Sequence, residues 1–142
     1  MCRIGAGVQR RPAHGACICG ARDGIGHLFA FEGDVPYQTA MQAQVDCDYL
    51  LLIVDTGETS DGVIPGKLFE YVASGRPMFA LCDPDATPDI IQRANLGVVV
   101  GAEDVDACER ELRRVLASPV PRAVEPDEAY LAQFDRRAIT TR

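Results

Sequence analysis

Three features of the sequence predict an α/β fold built on a doubly wound parallel sheet. Short unbroken apolar runs recur along the chain, helix-like segments with terminal signals stand between them, and the two kinds alternate. A continuous apolar run marks a strand covered on both faces, as in a parallel sheet with helices on each side. Regular strand–helix alternation then implies crossover connections and helices packed on both faces of one open sheet.

The first strand is expected at Leu28 to Glu32 in "HLFAFEGDVP", closed by Gly33, Asp34 and Pro36. A helix follows over Tyr37 to Gln44. "CDYLLLIVD", Cys47 to Asp55, is apolar except near its ends and reads as the central strand. The loop after it leads into "SDGVIPGKLFEYVASGRP", where a helix starts near Pro65, takes Gly75 as its C′ residue and is stopped by Pro77. "PMFALCD" is the next buried strand. In "TPDIIQRANLG" Thr87 is expected to cap a helix with Pro88 at its first position and Gly97 just past its end. "GVVVG" is a further strand. A last long helix over "EDVDACERELRRVLAS" puts Val105, Cys108, Leu112, Val115 and Leu116 on one face and arginines toward its C-terminal end. After a Pro-flanked break, the tail "EPDEAYLAQFDRRAITTR" reads as one or two short helices.

Residues 1–26, rich in Gly, Arg, Ala and Cys, have no sustained period and are assigned no structure; residues 27–142 form the folded domain. The 142 residues suit one domain with one core. With 21 acidic and 14 basic residues the net charge is −7, which offers no broad footprint for nucleic acid or an anionic membrane, so an anion must be gripped locally. No apolar run reaches the length of a membrane span and Met1-Cys-Arg-Ile does not open a secretory signal, so the cytoplasm is expected. Of six cysteines, Cys47, Cys82 and Cys108 lie in or beside apolar runs and are read as reduced core thiols.

Ligands of open α/β sheets collect where strand carboxyl ends lead into helix N-termini. The loop Thr56 to Pro65 occupies that position. Gly57, Gly62 and Gly66 bare the backbone N–H groups to an anion, and the helix beginning near Pro65 points its positive dipole end there. Lys67 in the first turn supplies a point charge for phosphate. Glu70, one turn on, can accept hydrogen bonds from vicinal hydroxyls such as those of a ribose. A positive element for a diphosphate beside a negative one for a sugar points to a nucleotide, whereas an exposed i,i+3 ion pair would add only a few tenths of a kcal/mol to the helix. The loop is not a Walker A sequence: Gly66-Lys67 is followed by Leu68, and Asp61 stands where the upstream glycine is required.

The segment "VIPGKLFEYVASGRPMFALCDPD", followed by "IIQRANLGVVVGAEDVDACERELRRVL", resembles the donor-binding C-terminal half of GT-B retaining glycosyltransferases of the family 4 type, whose P-x-K-x-x-E-Y-x-A-x-G-x-P pattern runs here from Pro65 to Pro77. The resemblance extends from about Phe31 onward. It implies a Rossmann-like domain that binds a UDP- or GDP-linked sugar and needs no metal or other cofactor. Glu70 resembles the family's ribose-holding glutamate. Lys67, with backbone from Gly62 through Val63, Ile64 and Pro65 to Gly66, resembles its diphosphate contact. Relatives carry a second glutamate eight residues before the first; here Gly62 stands there, and Glu58 and Asp61 are the loop's acidic residues. In that family the acceptor site lies on a separate N-terminal domain, for which this chain has no counterpart. The expectation is therefore a truncated or split glycosyltransferase, inactive without an acceptor domain supplied by another chain or by assembly. The rival reading is a non-catalytic Rossmann-like nucleotide-binding or regulatory module.

Two other constellations carry less. His14, Cys17, Cys19 and His27 have a spacing unlike zinc ribbons or fingers, and no metal site is expected. Asp55, Glu58 and Asp61 have the texture of a phospho-receiver pocket, but that site needs a lysine after a later strand, where "ALCDPDA" offers aspartates.

Overall fold

The computed structural model describes residues 4–6, 24, 26–30, 32–54, 64–84, 86–117 and 124–134. Strands β2 (Tyr49–Ile53), β3 (Met78–Leu81) and β4 (Gly97–Val100) form a parallel sheet, and a three-residue strand β1 (Ile4–Ala6) pairs along the outer edge of β2. Leu50 stands opposite Met78, and Met78 opposite Gly97. The ladder runs on past the strand ends through Val54 N–H to Leu81 O (3.0 Å) and Cys82 N–H to Val100 O (3.1 Å).

Five α-helices lie among the described residues: α1 (Tyr37–Asp46), α2 (Gly66–Ser74), α3 (Ala86–Arg93), α4 (Val105–Ala117) and the single turn α5 (Glu128–Leu131), which continues as a 3-10 turn at Ala132–Phe134. Successive strand side chains point to opposite faces, so each apolar run serves two cores at once. On one face Leu50, Leu52, Met78, Ala80 and Cys82 meet Leu68 and Tyr71 of α2 and Ile90 and Ile91 of α3. On the other, Tyr49, Phe79 and Val100 meet Val115 of α4, with Cys108 and Leu112 beside it. The α/β class follows directly, with helices against both faces. The strand order runs one way, β1-β2-β3-β4, among the described strands. Leu50, Leu68 and Ile91 are fully buried, and each contributes about 1.5–3 kcal/mol by leaving water.

Several expectations are corrected. The described residues of the expected first strand, 28–30 and 32, are not in a strand: Leu28 closes a 3-10 turn (Gly26–Leu28) and is exposed, as is Phe29. The outer edge of β2 is taken by Ile4–Ala6, within the stretch that lacks any period. Thr87 does not cap α3. The helix already includes Ala86, so Thr87 lies inside it, fully buried, and its hydroxyl finds no hydrogen-bond partner among the described residues. Gly97 is not the residue after that helix; Asn95 takes the left-handed position (φ 53°) and Gly97 opens β4. Val105 and Leu116 of α4 are exposed, because the apolar stripe that reaches the sheet is the narrower one of Cys108, Leu112 and Val115.

Candidate anion-binding site at the start of helix α2

Because β2 and β3 are parallel and α2 joins them, the N-terminus of α2 lies at the carboxyl edge of the sheet. Its last turn lies at the opposite edge, where Gly75 (φ 69°) donates its N–H to Val72 O at 3.1 Å and turns the chain into β3. Ile64 packs, half-buried, against the first core and fixes the approach to the helix. Pro65 is extended (φ −61°, ψ 131°), and its carbonyl accepts from Leu68 N–H at 2.9 Å. Proline has no side chain that can cap a helix, so the first turn of α2 presents backbone amides with no side-chain acceptor from the cap position. Gly66 is exposed, its φ is ordinary, and a methyl group added there would meet nothing within 4 Å. The fold itself does not require glycine at that position.

Rotation of α2 is set by Leu68 and Tyr71, which point into the core; the Tyr71 hydroxyl donates to Leu51 O at 3.4 Å. That rotation leaves Lys67 and Glu70 half-buried, one turn apart on the flank of the first two turns. Partial burial pushes the Lys67 ammonium below its ordinary value, and the Glu70 carboxylate opposes that shift. A cation that has lost part of its hydration gains more from an anionic ligand than a fully solvated one does. Lys67 with the amides of the first turn can hold phosphate oxygens. Glu70 can accept hydrogen bonds from hydroxyl groups one turn away.

Of the sequence-predicted site residues, Ile64, Pro65, Gly66, Lys67 and Glu70 are thus gathered around one helix start. Glu58, Asp61, Gly62 and Val63 lie outside the described residues. His27 is exposed, His14, Cys17 and Cys19 lie outside the described residues, and no group of three His, Cys, Asp or Glu side chains gathers among those described. Sequence reasoning missed the aromatic side chains around α2. Phe69, on the same turn as Lys67 and Glu70, meets Phe134 at 5.8 Å between ring centroids, and Phe134 meets Tyr130 at 5.7 Å. The four-residue spacing of Tyr130 and Phe134 after the capping Asp127 was the available signal. An open groove of about 250 Å³ lies elsewhere, between α1 and the last turn of α2, lined by Tyr37, Met41, Val45, Ala73 and Ser74 among others. It carries no charged side chain and stands apart from Lys67.

Compared with protein families, curated proteins and solved structures, the chain shows no match. No helix among the described residues is long and apolar enough to cross a membrane.

Proposed function

We propose that the first turn of α2 binds the diphosphate of a nucleotide-sugar, with Lys67 and the Gly66 amide on the phosphates and Glu70 on the ribose hydroxyls. On this reading the chain is the donor-binding, Rossmann-like part of a GT-B-type glycosyltransferase, and its sheet is the core of a doubly wound domain. Transfer requires an acceptor domain that closes over the donor, since catalysis of this kind rests on orienting two reactants and stabilising the leaving diphosphate. The observation that carries the proposal is the pairing of a partly desolvated ammonium and a carboxylate on one turn, at a helix start on the carboxyl edge of a parallel sheet.

Titration calorimetry of the full chain with UDP and with GDP tests it. One of the two is expected to bind saturably, and Glu70→Ala and Lys67→Met are each expected to weaken binding about tenfold or more, the range of a charged hydrogen bond. The pH profile follows from Lys67. Its folded pKa lies below the ordinary 10.5, so affinity is expected to stay level through neutral pH and to fall on the alkaline side before 10.5, as the folded chain loses that proton early. Lys67→Met removes the alkaline fall. Absence of binding by either nucleotide overturns the proposal and favours the non-catalytic module.

A further inference from the structure

Residues 124–134 run from the end of α3 to the start of α2, and the path is tied down at several points. Asn95 donates from Nδ2 to Glu125 O at 3.0 Å, and Asp127 N–H donates to Ala94 O at 3.1 Å. Asp127 then caps the next turn by accepting from Tyr130 N–H at 2.9 Å. The Arg93 guanidinium, at the end of α3, lies 4.6 Å from the centroid of the Tyr130 ring. Tyr130 meets Phe134 edge-on, at an interplanar angle of 75°, and Phe134 meets Phe69 at 48°. Val124, Tyr130, Leu131 and Phe134 also pack against the first core.

The stack therefore runs without a break from Arg93 to Phe69, which lies with Leu68 between Lys67 and Glu70 in the turn described above. Leu68 and Tyr71 grip that turn from the inside, and Phe134 touches it from the outside. We propose that residues 124–134 form a strap that holds the first turns of α2, with Phe134 the positioning residue that fixes Lys67 and Glu70 through its contact with Phe69. The holding itself is a property of the fold. Its consequence for ligand binding rests on the nucleotide-sugar reading.

The test is hydrogen exchange on the full chain, alone and with UDP or GDP, for wild type, Phe134→Ala and Phe134→Tyr. The amides to follow are those of residues 69–72, whose intrahelical acceptors are carbonyls at the helix start. Helix α4, on the other face of the sheet, is the internal control. In Phe134→Ala these amides are expected to exchange about three- to tenfold faster, the worth of one aromatic pair, while α4 is unchanged and Phe134→Tyr restores the wild-type rate. Affinity for the nucleotide that wild type binds is expected to fall by a similar factor in Phe134→Ala and to recover in Phe134→Tyr. Unchanged exchange at residues 69–72, an equal rise in α4, or unchanged nucleotide affinity despite faster exchange would each overturn the strap as a positioning device. Selective exchange in a chain that binds neither UDP nor GDP supports the strap and removes the nucleotide reading alone.

Discussion

Gly97 and Gly66 differ in what a methyl group would meet. At Gly97 a Cβ would sit 2.0 Å from the Met78 carbonyl oxygen and 2.6 Å from its nitrogen, at a φ of 156° that side chains rarely adopt. The pairing of Met78 with Gly97 therefore depends on a bare Cα. Gly97→Ala is expected to destabilise the fold by about 3 kcal/mol or more, combining backbone strain with overpacking; a urea unfolding midpoint reads this. Gly66→Ala is expected to move the same midpoint by no more than about 0.5 kcal/mol in either direction, since it adds a good helix former in open space. If the amides at the start of α2 hold phosphate, that methyl group weakens nucleotide binding even though stability is kept. From sequence Gly66 reads as a glycine that bares amides to an anion and Gly97 as the residue just past a helix; only the sheet register separates a glycine needed by the fold from one the fold leaves free.

At the scale of elements, what could be read in advance was what local chemistry determines. The central strand, helix α2 with its terminal glycine and the strand "MFAL" all follow from apolar runs and stop signals. What could not be read depends on partners distant in sequence. Ile4–Ala6 is a strand because β2 offers it an open edge, and nothing in Ile-Gly-Ala announces that. Thr87 has the right chemistry for a cap but lies inside α3, where its hydroxyl is buried without a partner among the described residues. Such a group loses its hydration with no hydrogen bond in return, so replacing it by a methyl of nearly the same shape removes a cost. Thr87→Val is expected to raise stability by about 1 kcal/mol, visible as a higher melting temperature. The candidate site was legible to the same extent. Lys67 and Glu70 are close in sequence and read together, whereas Phe134 reaches Phe69 only through the folded tail.

Across the whole molecule, burial is unevenly shared. β2 and β3 bury Leu50, Leu52, Met78 and Ala80 on the first face and Tyr49 and Phe79 on the second, while α1 buries only Gln44 among its ten residues. Helix α1 is held instead by its flank against α2 and by a bond from Arg76 Nε to Val45 O at 2.6 Å. Regions with little buried apolar surface open at lower free energy than the whole fold. Native-state hydrogen exchange is therefore expected to rank α1 as the least protected of α1 to α4, with β2 and β3 opening only on global unfolding. Protection of α1 equal to that of β3 would contradict this ranking.

The contact between Phe69 and Phe134 also has a bearing on how the chain comes into being. Translation completes helix α2 and its inner packing partners in β2 long before Phe134 is made. The nascent domain thus carries a bare aromatic ring on α2 until the tail has emerged and returned. Closure of that flank is a late, long-range event.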